Sequence, residues 1–279
     1  DGGIPMRIDA QALLGWLVRH AAPILIAGLF CLPLVWMVSA SLRQPGLPPP
    51  RTVEWIPNPL AWGNYQRIFE MLPLGRYLLN SVIVGGLAVP LTLVTASWAG
   101  FAMAQLGARA RLRLTALSIG LLMIPATALW LTRYVWFSRL GLVNNYAALL
   151  APALMGSSPL FVLLFYWAFR RLPVELFESA WLDGAHALTI WARIALPLTH
   201  RTSVVVGVFT FALYWSDFIT PLLYLKSPSL YTLPVGLQQL QQLDPTNWPL
   251  LMAASVVITA PVVLLFWGVQ HYFLSERWR

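Results

Sequence analysis

Residues 172–197 read Leu172-Pro173-Val174-Glu175-Leu176-Phe177-Glu178-Ser179-Ala180-Trp181-Leu182-Asp183-Gly184-Ala185-His186-Ala187-Leu188-Thr189-Ile190-Trp191-Ala192-Arg193-Ile194-Ala195-Leu196-Pro197. Pro173 suits a first helical position, and Glu175 suits the positive end of the helix dipole. Leu176, Phe177, Ala180 and Trp181 fall on one apolar stripe. Gly184 fits the left-handed position that ends a helix. A second short helix is expected through 189–196, closed by Pro197. A helix pair with an apolar face and few charges is a docking element; the competing reading lays it on a membrane surface.

The surroundings of this stretch are those of a membrane protein. Apolar residues make up 58% of 279 positions and charged residues 10%, with a mean hydropathy of +0.68. A soluble domain carries about a quarter charged residues. The apolar residues arrive in blocks of about twenty, the length that crosses a bilayer core of about 30 Å. Six such blocks predict six transmembrane helices in an all-α membrane protein: Ala21–Leu42, Leu79–Leu106, Leu114–Phe137, Tyr146–Phe169, Thr202–Leu225 and Pro249–Phe273. A proline-rich stretch after the first block belongs outside the hydrocarbon, with a short interfacial helix over 62–69. Residues 1–5 read as a leader before a natural start at Met6, and 6–279 as a single transmembrane domain with its loop at about 170–201. Prolines within the blocks, Pro125 among them, read mostly as tolerated by bundle neighbours.

The net charge of +8 is almost wholly arginine, Lys226 being the one lysine. Such an excess reflects topology and lipid headgroups rather than nucleic acid. Arg109, Arg111 and Arg113 are expected in a tight basic turn on the same side as the 170–201 loop and both termini. The positive-inside rule sets that side in the cytoplasm.

Catalysis finds no support. The four histidines lack a second His or carboxylate at helical metal-site spacing. No GxxxxGK[ST] loop occurs, so ATP is not bound by that route, and no G-x-S-x-G elbow is present. Asp217 is the one acid near a span's interior, where a charge costs about 2.5–3.5 kcal/mol. One reading lines a polar translocation pathway with Asp217, Tyr214 and Trp215. The other sets Asp217 near the outer end of its helix as a structural hydrogen-bond acceptor. A secondary transporter would need midplane ion sites and usually an internal repeat, and neither is visible.

Glu178-Ser179-Ala180-x-x-Asp183-Gly184-Ala185, followed by Ile194-x-Leu196-Pro197-Leu198, resembles the E-A-A-x-x-x-G loop of ABC importer permeases. Asn80-Ser81, Leu140-Gly141-Leu142-Val143-Asn144, Trp215-x-Asp217-Phe218 and Tyr231-Thr232-Leu233-Pro234-Val235-Gly236-Leu237 resemble the carbohydrate-uptake branch, in particular the second membrane subunit of maltose-type transporters. The resemblance implies a type I ABC importer permease fold in a bacterial or archaeal inner membrane. It implies a second, non-identical permease, an ATPase dimer that binds ATP and Mg, and an extracytoplasmic sugar-binding protein, with no cofactor in this chain; a non-sugar solute is the alternative. Glu178, Ser179, Ala180, Asp183, Gly184 and Ala185 would then form the coupling helix that seats on the ATPase. Ser179 stands in place of the second alanine, and His200 where a proline is usual. The sequence ends Ser275-Glu276-Arg277-Trp278-Arg279, without the family's Gly-Leu-Thr-rich tail, and no ATPase contact is carried over for it.

Overall fold

The computed structural model describes residues 10–154 and 158–275; the expected leader at 1–5 and the chain end at 276–279 lie outside the described residues. In chain order the helices are α1 (Ala10–Ser41), α2 (Gly63–Met71), α3 (Leu74–Gln105), α4 (Ala108–Leu122), α5 (Trp130–Arg139), α6 (Tyr146–Leu154) and α7 (Pro159–Arg170). There follow α8 (Glu175–Leu182), α9 (Ala187–Ile190), α10 (Leu196–Leu198), α11 (His200–Ser216), α12 (Ile219–Tyr224), α13 (Leu233–Leu243) and α14 (Trp248–Ser275). Among the described residues four segments are long and apolar enough to cross a membrane: Ala21–Ser41, Leu74–Gln105, Tyr146–Arg170 and Trp248–Gln270. The number rises to six if each of two bent pairs serves as one span.

The first of these bends corrects an expected span, while the second, 84° between Ala187–Leu198 and His200–Ser216, falls just ahead of the fifth block. The third block is not one helix: α4 stops at Leu122, and the chain turns by 87° before continuing through a 3₁₀ turn at Ala126–Leu129 into α5. Pro125 sits at the corner in extended geometry (φ −65°, ψ 133°). It has no N–H to extend α4, and it disfavours helical geometry at Ile124. Pro33, Pro90 and Pro261, by contrast, lie inside unbroken helices. The fifth block also breaks, because Asp217 is extended (φ −68°, ψ 117°) and separates α11 from α12. Pro197 does not close the second loop helix. Its ring crowds the carbonyl four residues back, and the chain widens into a π turn at Trp191–Ala195 that carries the helix on to Leu198. The arginines expected in a tight turn instead lie on the first turns of α4, which starts at Ala108 after an extended Gly107.

Packing divides the chain into two compact units, Asp1–Met71 with Leu240–Val257, and Leu72–Gln239 with Ile258–Arg279. In the first, the proline-rich stretch closes onto the end of α1. Asn64 donates to the Ser41 and Arg43 carbonyls (2.8 and 2.7 Å), filling acceptors that the helix end leaves open. Arg43 pairs with Glu54 at 2.9 Å.

In the second unit α3 is the spine. At Gly100 an added Cβ would lie 2.8 Å from Phe165 Cβ and 2.8 Å from the Tyr166 backbone nitrogen, so α3 and α7 meet at backbone distance. Near its start, Asn80 donates to the carbonyls of Ser229 (3.0 Å) and Tyr231 (2.9 Å), and Ser81 accepts from the Leu233 N–H (2.8 Å). Near its other end, Ser97 accepts from the Trp191 indole at 3.1 Å. One helix thus anchors the 226–239 segment at one end and the 170–201 loop at the other. The helix α13 was not foreseen within the 226–248 loop. Leu233, Gly236 and Leu240 form its buried side at helical spacing.

Candidate functional site: the 170–201 loop and the cavities beside α6

The loop begins where α7 ends at Arg170 and presents α8 two residues after Pro173. Glu175 and Glu178 lie in the first turn of α8, where carboxylates are favoured by the helix dipole. Its C-terminus is capped. Gly184 has φ +77°, its N–H donates to the Trp181 carbonyl (3.0 Å), and the Ala185 N–H reaches back to the Ala180 carbonyl (3.0 Å). That pair of bonds is the Schellman arrangement, which only a left-handed residue permits without strain.

The expected stripe is divided between two faces. Phe177 and Ala180 are buried in a core formed with Phe101, Phe165, Phe169, Ile190 and Trp191, against which Ala185 also packs. Leu176, Trp181 and Leu182 point away from it, Trp181 48% and Leu182 89% exposed. Around them lie exposed Glu175, Glu178 and Asp183. Among the described residues no ion pair engages these three acids. Ser179 is exposed, and its hydroxyl turns back to the Leu176 carbonyl at 3.3 Å. The loop therefore has one face fused to the body and one bare apolar face with acidic flanks.

The three residues considered for a pathway have different surroundings. Tyr214 lines a cavity of about 170 Å³ with Thr92, Thr95, Ser158 and Phe161. Trp215 is 1% exposed, stacks on Phe211 and donates its indole N–H to the Ile258 carbonyl at 2.9 Å, so its position is a core position. Asp217 accepts the Thr220 N–H at 3.1 Å, which serves the start of α12. Among the described residues no group of three or more His, Cys, Asp or Glu is set to hold a metal.

Two features escaped sequence reasoning. The Ser97–Trp191 bond has no local signal, because it joins residues far apart in the chain. The bend at Pro125 sets α5 beside α6, so Arg133 and Trp136 line a cleft of about 400 Å³ with Pro152. The Met123-Ile124-Pro125 sequence was the available signal for it.

The family description "Binding-protein-dependent transport system inner membrane component" matches residues 96–277, which include the whole loop. The chain belongs to that family. The permease is 31% identical over 277 residues to the arabinooligosaccharides transport system permease protein of Halalkalibacterium halodurans, covering 97% of each chain. It is 29% identical over 273 residues to the sulfoquinovosyl glycerol transport system permease protein of Agrobacterium fabrum, covering 98% of this chain and 92% of that one. It is also 29% identical over 260 residues to the trehalose/maltose transport system permease protein of Thermococcus litoralis, covering 90% and 91%. Its fold matches a crystal structure of a bacterial ABC transporter involved in import of the acidic polysaccharide alginate, with TM-score 0.77 at 17% identity, over 97% of this chain and 100% of that one. The permease is thus a non-catalytic, multi-pass inner-membrane subunit of a binding-protein-dependent importer, and its family binds no cofactor itself.

Proposed function

We propose that this permease passes a carbohydrate across the membrane by alternating access, driven through its 170–201 loop by a separate ATPase dimer. The observation that carries the reading is the two-faced loop. The bare face of Leu176, Trp181 and Leu182 is available to a partner, while Phe177 and Ala180 tie the same helix into the core. Movement imposed on the first face is delivered to the second. Glu178 and Asp183 orient the docked helix against basic groups of the ATPase, and Ser179, Ala180, Gly184 and Ala185 fix its shape. The substrate class is supported by the relatives named above, which serve arabinooligosaccharides, trehalose/maltose and sulfoquinovosyl glycerol. Residues 6–279 act as one permease domain, paired with a second, non-identical permease and supplied by an extracytoplasmic sugar-binding protein.

Both termini and the 170–201 loop face the cytoplasm, in keeping with Arg109, Arg111 and Arg113 on the first turns of α4. Tyr214 belongs to the translocation route, because its cavity is bordered by the hydroxyl-bearing Thr92, Thr95 and Ser158. Co-expression with a candidate ATPase subunit and a candidate sugar-binding protein tests the reading. Copurification of the ATPase and ATP-dependent uptake of a saccharide into vesicles are expected. An ATP-independent uptake driven by an ion gradient would contradict it.

A further inference from the structure

The cleft on α5 has a composition that the importer mechanism does not explain. Leu129, Thr132, Arg133, Trp136 and Leu140 recur at helical spacing along one side of the 3₁₀ turn and α5, and they face Pro152 of α6 across about 400 Å³. That volume lies within the usual range for small-molecule sites, about 300–1,000 Å³. The walls are mostly apolar, and Thr132 and Arg133 supply the polar groups. Arg133 is half-buried and has no hydrogen-bond or ion-pair partner among the described residues. A guanidinium withdrawn from water beside apolar walls is costly unless something anionic meets it.

The nearby acid does not fill that role. Asp217 lies within electrostatic reach of the same tyrosines as Arg133, Tyr214 and Tyr224. It makes no ion pair with Arg133, and its carboxylate is engaged by the Thr220 N–H. One helical turn from Arg133, Trp136 is 58% exposed and offers an aromatic face. Pro152 lines both this cleft and the Tyr214 cavity, so the two sites are neighbours on one wall of α6.

We propose that this cleft is a subsite for the acidic group of a carbohydrate, with Arg133 gripping a carboxylate or sulfonate and Trp136 lying against the apolar face of the sugar ring. The chemistry suits the parts. A guanidinium presents a planar fork of donors that matches a carboxylate two bonds at a time. An indole gives a broad apolar platform, and Thr132 gives a hydroxyl for a sugar hydroxyl. The proposal rests on the carbohydrate-importer reading above and extends it to the charge of the substrate.

The test uses the whole importer in vesicles with two probes, a uronic-acid trisaccharide and its neutral methyl ester. The binding protein is the same for every variant, so the ratio of variant to wild type isolates this chain. Wild type should transport the acid in preference to the ester. Arg133→Gln should raise the half-saturating concentration of the acid about tenfold or more, and Arg133→Lys less, with the ester unchanged. Trp136→Ala should weaken acid and ester alike, since stacking does not depend on charge. An Arg133→Gln importer that handles the acid like wild type overturns the proposal, as does a wild type that prefers the ester. A loss that tracks the anionic-lipid content of the vesicles, rather than the charge of the saccharide, assigns Arg133 to a lipid phosphate and also overturns it. If neither saccharide is transported while the ATPase still copurifies and hydrolyses ATP, the carbohydrate reading itself has failed.

Discussion

Trp191 donates its indole N–H to the hydroxyl of Ser97 at 3.1 Å, with both side chains buried. The bond fastens the π turn of the 170–201 loop to the middle spine, α3. Trp98, next in the chain, meets the same indole edge-on with ring centroids 5.2 Å apart. Ser97→Ala leaves a buried donor unpaired, at a cost of about 1–3 kcal/mol. Its thermal unfolding midpoint in detergent should fall, and Ser97→Ala/Trp191→Phe should lose less than the sum of the two single changes. Strict additivity would mean that the bond contributes nothing.

Gly100 and Gly86 lie on the same helix and should respond oppositely to alanine. At Gly100 a Cβ meets backbone atoms of α7, 2.8 Å from the Tyr166 nitrogen and 2.9 Å from the Val162 oxygen. Backbone cannot step aside, so Gly100→Ala should destabilise by about 1–3 kcal/mol. At Gly86 nothing lies within 4 Å, and Gly86→Ala should be neutral or slightly stabilising through helix propensity, about 0.5–1 kcal/mol. Unfolding midpoints of the two purified variants decide the matter, and a harmless Gly100→Ala would contradict the close approach.

Much of this was legible in the sequence, and the failures have causes. Uninterrupted apolar length gave α1, α3 and α14, since a bilayer-length block has few other uses. Local signals gave α8 and its cap at Gly184, because capping is decided within a few residues. The breaks at Pro125 and Asp217 were missed because hydropathy averages over a window and does not register one residue that ends a helix. Pro90 and Pro261 lie inside unbroken helices while Pro125 sits at a corner, so a proline in an apolar block does not by itself say where a helix ends. Asn80-Ser81 and the 231–237 stretch were noticed separately. Only the fold shows that they bond to each other. Arg133 lies inside the expected third block, and only the bend places it in a cleft.

Asn144 holds a left-handed conformation (φ +64°), and its side-chain oxygen accepts from the N–H groups of both Lys226 and Ser227 at 2.9 and 2.8 Å. Asn144→Gly keeps the backbone geometry and loses the bonds, whereas Asn144→Ala loses both. Alanine should therefore be the worse change by about 1–2 kcal/mol. Unfolding of the two variants side by side measures it. Equal stability would show that the backbone conformation carries no cost.

Orientation is open to cysteine labelling after replacement of the exposed Cys31. Leu188 and Lys226 are exposed, on the 170–201 loop and beyond α12 respectively. An impermeant reagent outside right-side-out vesicles should label Lys226→Cys and spare Leu188→Cys. The reverse pattern would place the loop outside, where no ATPase can reach it.

The central claim is that the 170–201 loop couples this permease to its ATPase. Gly184→Val forces a branched residue into φ +77°, a strain of roughly 1–2 kcal/mol, although no neighbour lies within 4 Å of its Cβ position. The damage should thus fall on the shape of the α8 cap rather than on core packing. Glu178→Lys reverses a charge on the bare face and leaves Phe177 and Ala180 in the core. The decisive measurement is copurification of the ATPase with each variant, read together with substrate-stimulated ATP hydrolysis in reconstituted vesicles. Both variants should insert normally, retain less ATPase and show little stimulated hydrolysis. Wild-type retention and wild-type stimulation in both would contradict the account.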